Sequence, residues 1–425
     1  MPLITRERKQ GKKHRPENMR AHGDDGLMTS SILLIMGAGF FYMSGTMMGT
    51  TLIVGYAHTL GAGGELAGIL AGMMNIVSLF CRPWAGRFSD RAPLRRFSAG
   101  ALLLLAAANA GYMVASNPVT LLVARIANGV GFSCLSVCLA AWLTSLIPLA
   151  HIGKGMGYYG MVNALAMALG PAAGIRLRAA FGYRAVFAVA VAEMVAALAL
   201  TACVRSDGTR RATSSKARAA SVPSDPSERA GAGVRGFLER VISVRVLPVA
   251  LVFMLFAIPY CATQSYIVTI VEARRLPVDV GLFFPLYAAA LLVLRIVMRN
   301  LFDARPFGWF LWLCAACMIL SLGALSVMRG DGLMAVAAVF MAASYGVMSS
   351  VSQSSAVRLA GAGHGGRGNG TYYIGLDLGM ALGPIIGGLL HARLDAAWFF
   401  PALMVTMPMA VIVYEMMRTF HHRHG

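Results

Sequence analysis

The sequence predicts an all-α membrane protein with twelve transmembrane helices in two pseudo-symmetric six-helix bundles. Three observations carry this expectation. Apolar runs of about 20 residues, enough to cross a hydrocarbon core of about 30 Å, recur along the whole chain. Basic residues collect between those runs on alternate sides. One half of the chain repeats the other at a fixed offset. Of the 425 residues, 57% are hydrophobic and only 13% charged, where a soluble domain carries about 25% charged.

The apolar runs place spans at 30–57, 65–85, 97–115, 118–148, 155–177, 184–204, 247–271, 279–301, 308–328, 332–358, 370–391 and 396–417. The first run, Ser31 to Ala57, is far longer than the apolar region of a cleavable signal, about 7–15 residues. Residues 205–245 are rich in Ser, Arg, Ala and Pro and include Ser221-Val222-Pro223-Ser224-Asp225-Pro226. Such a segment cannot bury a core and reads as a flexible linker. The expected organisation is therefore a basic N-terminal segment (1–27), a first bundle (28–204), the linker (205–245), a second bundle (246–417) and a short tail (418–425).

Orientation follows from Lys and Arg. With the N-terminus in the cytoplasm, cytoplasmic segments receive 29 of the 37 basic residues, outer loops receive 7, and Arg125 alone stays within a span. Both termini and the linker then face the cytoplasm, and the short loops suggest a bacterial inner membrane. The net charge of +19 becomes a topology signal with some attraction to anionic lipid, and not a nucleic-acid footprint. The seven cysteines include Cys314-x-x-Cys317 and Cys134 one turn from Cys138, with no His or carboxylate beside either pair at metal-ligand spacing. They read as small packing residues. His421, His422 and His424 read as a solvated tail. No metal and no cofactor is expected, and the chain carries no H-E-x-x-H, G-x-S-x-G or P-loop motif of an enzyme.

The internal repeat has one constant offset of 213 residues. Met167-Ala168-Leu169-Gly170-Pro171 recurs as Met380-Ala381-Leu382-Gly383-Pro384, and Gly174 matches Gly387. His151, Gly153, Gly155, Gly157 and Tyr159 match His364, Gly366, Gly368, Gly370 and Tyr372. Arg82, Asp90 and Pro93 match Arg295, Asp303 and Pro306 in a different region, in the same register. Duplication of a six-helix unit gives both halves the same orientation, related by an axis along the membrane normal, with a midplane site between them.

Three motifs carry chemistry. After the second span comes Gly86-Arg87-Phe88-Ser89-Asp90-Arg91-Ala92-Pro93-Leu94-Arg95-Arg96. Gly86 permits close helix approach, and Asp90 can pair with an arginine or a helix N-terminus. Gly86, Asp90, Arg91 and Arg95, with Asp303 as the echo, are candidates for a charged latch that holds the cytoplasmic side closed. The segment resembles the loop signature G-x-x-x-D-R-x-G-R-R of the major facilitator superfamily, with Pro93 in place of glycine and the basic pair displaced by one residue. The fourth span carries Leu121-x-x-x-Arg125-x-x-Asn128-Gly129-x-Gly131, which resembles the second signature of drug:proton antiporters with Asn for Gln. The fifth carries Gly170-Pro171-x-x-Gly174, which resembles the antiporter signature G-x-x-x-G-P-x-x-G-G with Ala166 and Ile175 replacing two glycines. Its copy, Gly379-x-x-x-Gly383-Pro384-x-x-Gly387-Gly388, is a fuller match but lies in the eleventh span.

The chain is thus identified as a member of the major facilitator superfamily, similar to its twelve-helix drug:proton antiporter branch. That resemblance implies proton-coupled efflux of a small amphipathic solute by alternating access. The alternative is a proton-coupled importer of a small metabolite such as an organic acid, and a membrane-embedded enzyme is the reading from another class. Partners are a small-molecule substrate, protons and the bilayer, and the chain is expected to be a monomer that binds no nucleic acid.

Coupling needs a titratable group that meets each side in turn. Asp377, about seven residues into the eleventh span, and Glu193, near the middle of the sixth, are the candidate carboxylates. Arg125 lies about seven residues deep, roughly 10 Å at 1.5 Å per residue, where a charge costs about 2.5–3.5 kcal/mol on insertion scales. It is expected to tune a carboxylate or bind an anion. Tyr42, Asn75, Tyr260, Gln264 and Tyr372 are candidate cavity residues, since aromatic and methionine surfaces suit varied apolar ligands. One proton crossing about 150 mV supplies roughly 3.5 kcal/mol, enough for a solute gradient of about 300-fold.

Overall fold

The computed structural model describes residues 29–147, 151–204, 243–298, 301, 305–360 and 365–424. The N-terminal segment, the body of the linker and Asp303 lie outside the described residues, and so do the side chains of Asp90 and Arg91. Within a bilayer every backbone group must find its partner inside the segment, so each apolar run becomes a helix.

The helices of the first half are α1 (Ser30–Thr59), α2 (Gly64–Arg91), α3 (Leu94–Val114), α4 (Pro118–Leu146), α5 (152–181) and α6 (183–202). The last two form one rod, Ile152–Ala202, broken at Gly182, whose φ of 80° is open to glycine and strained for other residues. In the second half come α7 (Leu247–Ala273), α8 (Phe283–Val297), α9 (Phe307–Ser326), α10 (Asp331–Ala360), α11 (Gly365–Arg393) and α12 (Phe399–Arg418). Counting the rod as two spans gives the twelve-helix architecture.

Local chemistry sets the ends. Asn117 caps α4 by accepting from the Thr120 amide at 2.9 Å, and Pro118 opens the helix where its missing N–H costs nothing. Ala92 precedes Pro93 and is extended, which ends α2 two residues before α3 begins. The segment expected as a loop is therefore mostly helix, with α2 running six residues past its expected end at 85. Inside α10, Ala342–Gly346 is a π-helical turn, a feature common at functional sites.

Packing follows the repeat. In the first half α5 lies along α1, and in the second α11 lies along α7. The glycine-proline motif makes both contacts possible. A Cβ on Gly170 would stand 2.5 Å from the Ser44 carbonyl oxygen, and one on Gly383 would stand 2.7 Å from that of Ile258. Likewise Gly174 faces Met48 and Gly387 faces Tyr266. In α5 the motif serves packing within the half, whereas its copy in α11 packs on α7 through Gly379, Gly383 and Gly387 and turns Gly388 toward α2 of the other half. Trp142, Phe132, Leu105 and Leu135 fill the first core; Phe253, Phe256, Phe283 and Phe310 fill the second. Phe80, Trp84, Val123, Ile296, Trp312 and Ile412 are exposed, the apolar surface a lipid-facing bundle requires.

Candidate translocation site between the halves

The two halves meet chiefly along α2 and α11. At the end of α2 near its start, Gly64, Gly68 and Gly72 bring its backbone against α11. A Cβ on Gly68 would stand 2.5 Å from the Pro384 carbonyl oxygen, and one on Gly388 would stand 2.6 Å from that of Gly64. Glu65 and Arg393 close the rim of this seam with an ion pair at 3.1 Å, and the His58 and His391 rings lie 5.7 Å apart nearby.

One turn deeper, sequence and structure explain each other. Pro384 has no N–H, so the Met380 carbonyl one turn earlier loses its helical donor. Asn75 of α2 supplies one, its Nδ2 donating to that carbonyl at 3.3 Å. Asn75 is thus buried in the seam, with its Oδ1 unpartnered among the described residues.

Deeper again, Arg82 of α2 holds Asp377 of α11 in a bidentate ion pair. Nη2 donates to Oδ1 at 3.0 Å, and Nε donates to Oδ2. Asp377 is 1% exposed, whereas the Arg82 side chain is 24% exposed and faces the Tyr373 ring at 5.5 Å. A fork-shaped guanidinium matches a carboxylate in this way, and lysine would not. Arg82 stands inside the helix, although the charge count credits it to a loop; its register with Arg295 in the repeat and its apolar neighbours were the signals available.

Among the described residues, the hydrogen bonds and ion pairs joining the halves lie from this pair toward the Gly64 end. On the far side of the bundle axis, α5 and α8 meet more loosely. Arg176 stands 3.8 Å from Asp279, and Arg178 pairs with Glu272 of α7. Between them α7 meets α1, where Gln264 Nε2 lies 3.8 Å from Met47 Sδ. From Arg82 toward the opposite end, the end of the basic segments, α4 and α10 pack on helices of their own halves and leave the halves apart.

The remaining predicted residues fall into three groups. Tyr260 and Tyr372 belong to an aromatic stack of the second half: Tyr260 lies on Tyr345 at 3.9 Å, Phe253 stacks on Tyr345 and Tyr372, and the Tyr372 hydroxyl meets Ser349 at 3.0 Å. Tyr345 belongs to the π-helical turn. Tyr42 is fully buried against Phe132 inside the first half and does not line the cleft. Glu193 of α6 faces α1, where Ser44 donates to its Oε1 at 2.9 Å and Gly45 leaves room for Oε2, which has no hydrogen-bond partner among the described residues.

Arg125 and Arg95 depart from expectation. Arg125 is buried, but it donates from Nε to the Leu70 carbonyl at 3.0 Å and from Nη2 to that of Ala71 at 2.5 Å. It ties α4 to α2 and pairs with no carboxylate among the described residues. Arg95 donates from Nη2 to the Ala202 carbonyl at 2.5 Å, at the C-terminal end of α6. It therefore binds within its own half, and in this conformation makes no latch across the cleft. Gly86 sits on the last turns of α2 with nothing within 4 Å of where its Cβ would be.

Two six-helix halves, sealed on one side of a buried inter-half ion pair and parted on the other, define a secondary membrane transporter. The sequence profile of the Major Facilitator Superfamily matches residues 34–384, and the chain belongs to that superfamily. The nucleoside transporter NupG is similar in fold, with a TM-score of 0.73, 10% identity, and 92% of this chain and 99% of that one covered. A peptide transporter POT, solved with sulfate, has a TM-score of 0.71 at 13% identity over 93% of this chain and 94% of that one. Tetrameric PepTSo2 follows at 0.65 and 14%, over 92% and 96%. At such identities the likeness is one of fold.

Proposed function

We propose that the protein is a proton-coupled importer of a small polar metabolite, with Asp377 as the proton carrier. The observation that carries this reading is the Arg82–Asp377 pair at the base of the α2–α11 seam. A protonated Asp377 cannot hold Arg82 as an ion pair. Opening the seam separates the two groups, and closing it reunites them. The proton is therefore taken up from the side that the seam opens to and shed when the seam shuts. With the basic segments assigned to the cytoplasm, that sequence moves protons inward and the structure is the cytoplasm-open state. Gly86, Asp90, Arg91 and Arg95, with Asp303, are the groups we assign to the opposite latch, formed once the cleft closes.

Import of a hydrophilic solute fits the site better than drug efflux. The antiporter-like motif in α5 packs that helix on α1 of its own half, and its copy in α11 packs on α7 and on α2. Arg125, the charged member of the other motif, is bonded to backbone carbonyls. Arginine, tyrosine and amide groups stand near the midplane instead, as a polar cargo needs. Proteins of the same fold are named for peptides and nucleosides, also polar metabolites.

Reconstitution in vesicles with an imposed pH gradient and an internal pH dye tests the reading, with cationic, neutral and anionic solutes compared. Protons and solute should move in the same direction in the wild type, and the coupled flux should vanish in Asp377→Asn. Counterflow of protons against solute would replace import by efflux.

A further inference from the structure

The solute's chemical class follows from a broken symmetry between two arginines, and this inference rests on the import reading. Arg295 in α8 is the repeat partner of Arg82 in α2. Arg82 is met by two groups of α11, the Asp377 carboxylate and the Tyr373 ring. The residues of α5 at the equivalent positions are Ala164 and Gly160. The helix that corresponds to α11 in the repeat thus carries neither the carboxylate nor the ring at those positions. Among the described residues, a Cβ on Gly160 would meet nothing within 4 Å.

In the structure Arg295 is half-buried, and its Nε is shielded from solvent without a hydrogen-bond partner among the described residues. Tyr287 and Tyr372 are the titratable groups that flank it, and neither is a carboxylate. An arginine kept only to reach the membrane surface would hold its whole fork in water. A shielded guanidinium nitrogen without an acceptor is instead costly. It marks a place where an acceptor arrives from elsewhere.

We propose that Arg295 binds the carboxylate of the transported solute, which supplies in this half what Asp377 supplies in the other. One free guanidinium matches one carboxylate in the same two-pronged geometry that Arg82 shows. The class is therefore a small monocarboxylate. A carboxylate placed permanently at position 164 would compete with it.

The test uses purified full-length protein in detergent and isothermal titration calorimetry with benzoate, acetate, succinate and the neutral benzamide. Benzoate should bind, and benzamide should bind at least about tenfold more weakly, as loss of a charged hydrogen-bond pair implies. Arg295→Gln should lower benzoate affinity by about tenfold or more, with Arg295→Lys in between. Ala164→Asp should do the same although Arg295 is intact, which separates the effect from misfolding at position 295. Benzoate affinity unchanged in both Arg295→Gln and Ala164→Asp would overturn the assignment. Failure of all three carboxylates to bind the wild type would overturn it as well. The import reading is scored separately, by proton flux with any transported solute and its loss in Asp377→Asn. That flux can survive when the carboxylate assignment fails.

Discussion

The α2–α11 seam and its symmetry mate, the α5–α8 seam, started from one duplicated design and now differ. In the first, Gly68 brings α2 so close that a Cβ would stand 2.5 Å from the Pro384 carbonyl oxygen. In the second, the equivalent Gly281 keeps its Cβ position 3.8 Å from the Ala172 carbonyl oxygen. Gly388 of the tight seam corresponds to Ile175 in the loose one, and a branched side chain there holds the backbones apart. Polar chemistry has diverged with the spacing. Asn75, which serves the carbonyl orphaned by Pro384, corresponds to Ala288, and Asp377 corresponds to Ala164. One seam has become a deep contact with a buried carboxylate at its base. The other is tied by charges at its rim and leaves its arginine free. The repeat gives both seams one frame, and a few differences on one side give it the buried ion pair.

Four experiments break or sharpen that comparison. The largest effect is expected from Asp377→Asn, which removes the carboxylate paired with Arg82 at the tight seam's base. Proton-coupled uptake should fall by about 100-fold or more while exchange of solute across a vesicle persists. Flux of solute and of pH, recorded together, reads both. Next comes Gly68→Val, which forces the tight seam apart. We expect a loss of about 1–3 kcal/mol in stability from overpacking, and a shift toward the form open at the Gly64 end. Labelling of a cysteine placed at Asn75 should then rise; unchanged labelling would show that the seam is not the gate. A smaller effect is predicted for Arg125→Ala. Loss of its bonds to Leu70 and Ala71 should cost roughly 1–3 kcal/mol, read as a lower thermal midpoint, while the ratio of protons to solute stays that of the wild type. A changed ratio would return Arg125 to the coupling machinery. Smallest is Arg178→Gln in the loose seam. Its ion pair with Glu272 is partly exposed, so about 0.5 kcal/mol is expected, and less at high salt.

The sequence made the architecture legible because hydrocarbon thickness and loop charge act on residues close together in the chain. Spans, their pairing by repeat and the packing role of Gly170 and Gly383 all have local signals. Asp377 was legible for a related reason: its repeat position carries alanine, so it stands out as an addition to one half. Its partner was not. Arg82 lies near an expected helix end, where an arginine usually belongs to the loop, and the pairing is with a residue 295 positions away. Arg125 showed the reverse problem. A buried arginine announces that it has acceptors, but not whether they are carboxylates or the backbone of α2. The π-helical turn at Ala342–Gly346 had no signal either, since it arises where Tyr345 must reach the stack formed by Phe253 and Tyr260.

The glycines of the tight seam carry a thermodynamic consequence. When Gly64, Gly68 and Gly388 part, they uncover carbonyl oxygens and backbone methylenes in place of large hydrocarbon side chains. Apolar exposure raises heat capacity by about 0.45 cal/mol/K per Å², and polar exposure lowers it by about 0.26, so a seam of this composition opens with little net change. Its opening enthalpy then stays nearly constant on warming. The balance between joined and parted seams then shifts with temperature along a straight line, without the curvature that a joint built from leucine and phenylalanine would show.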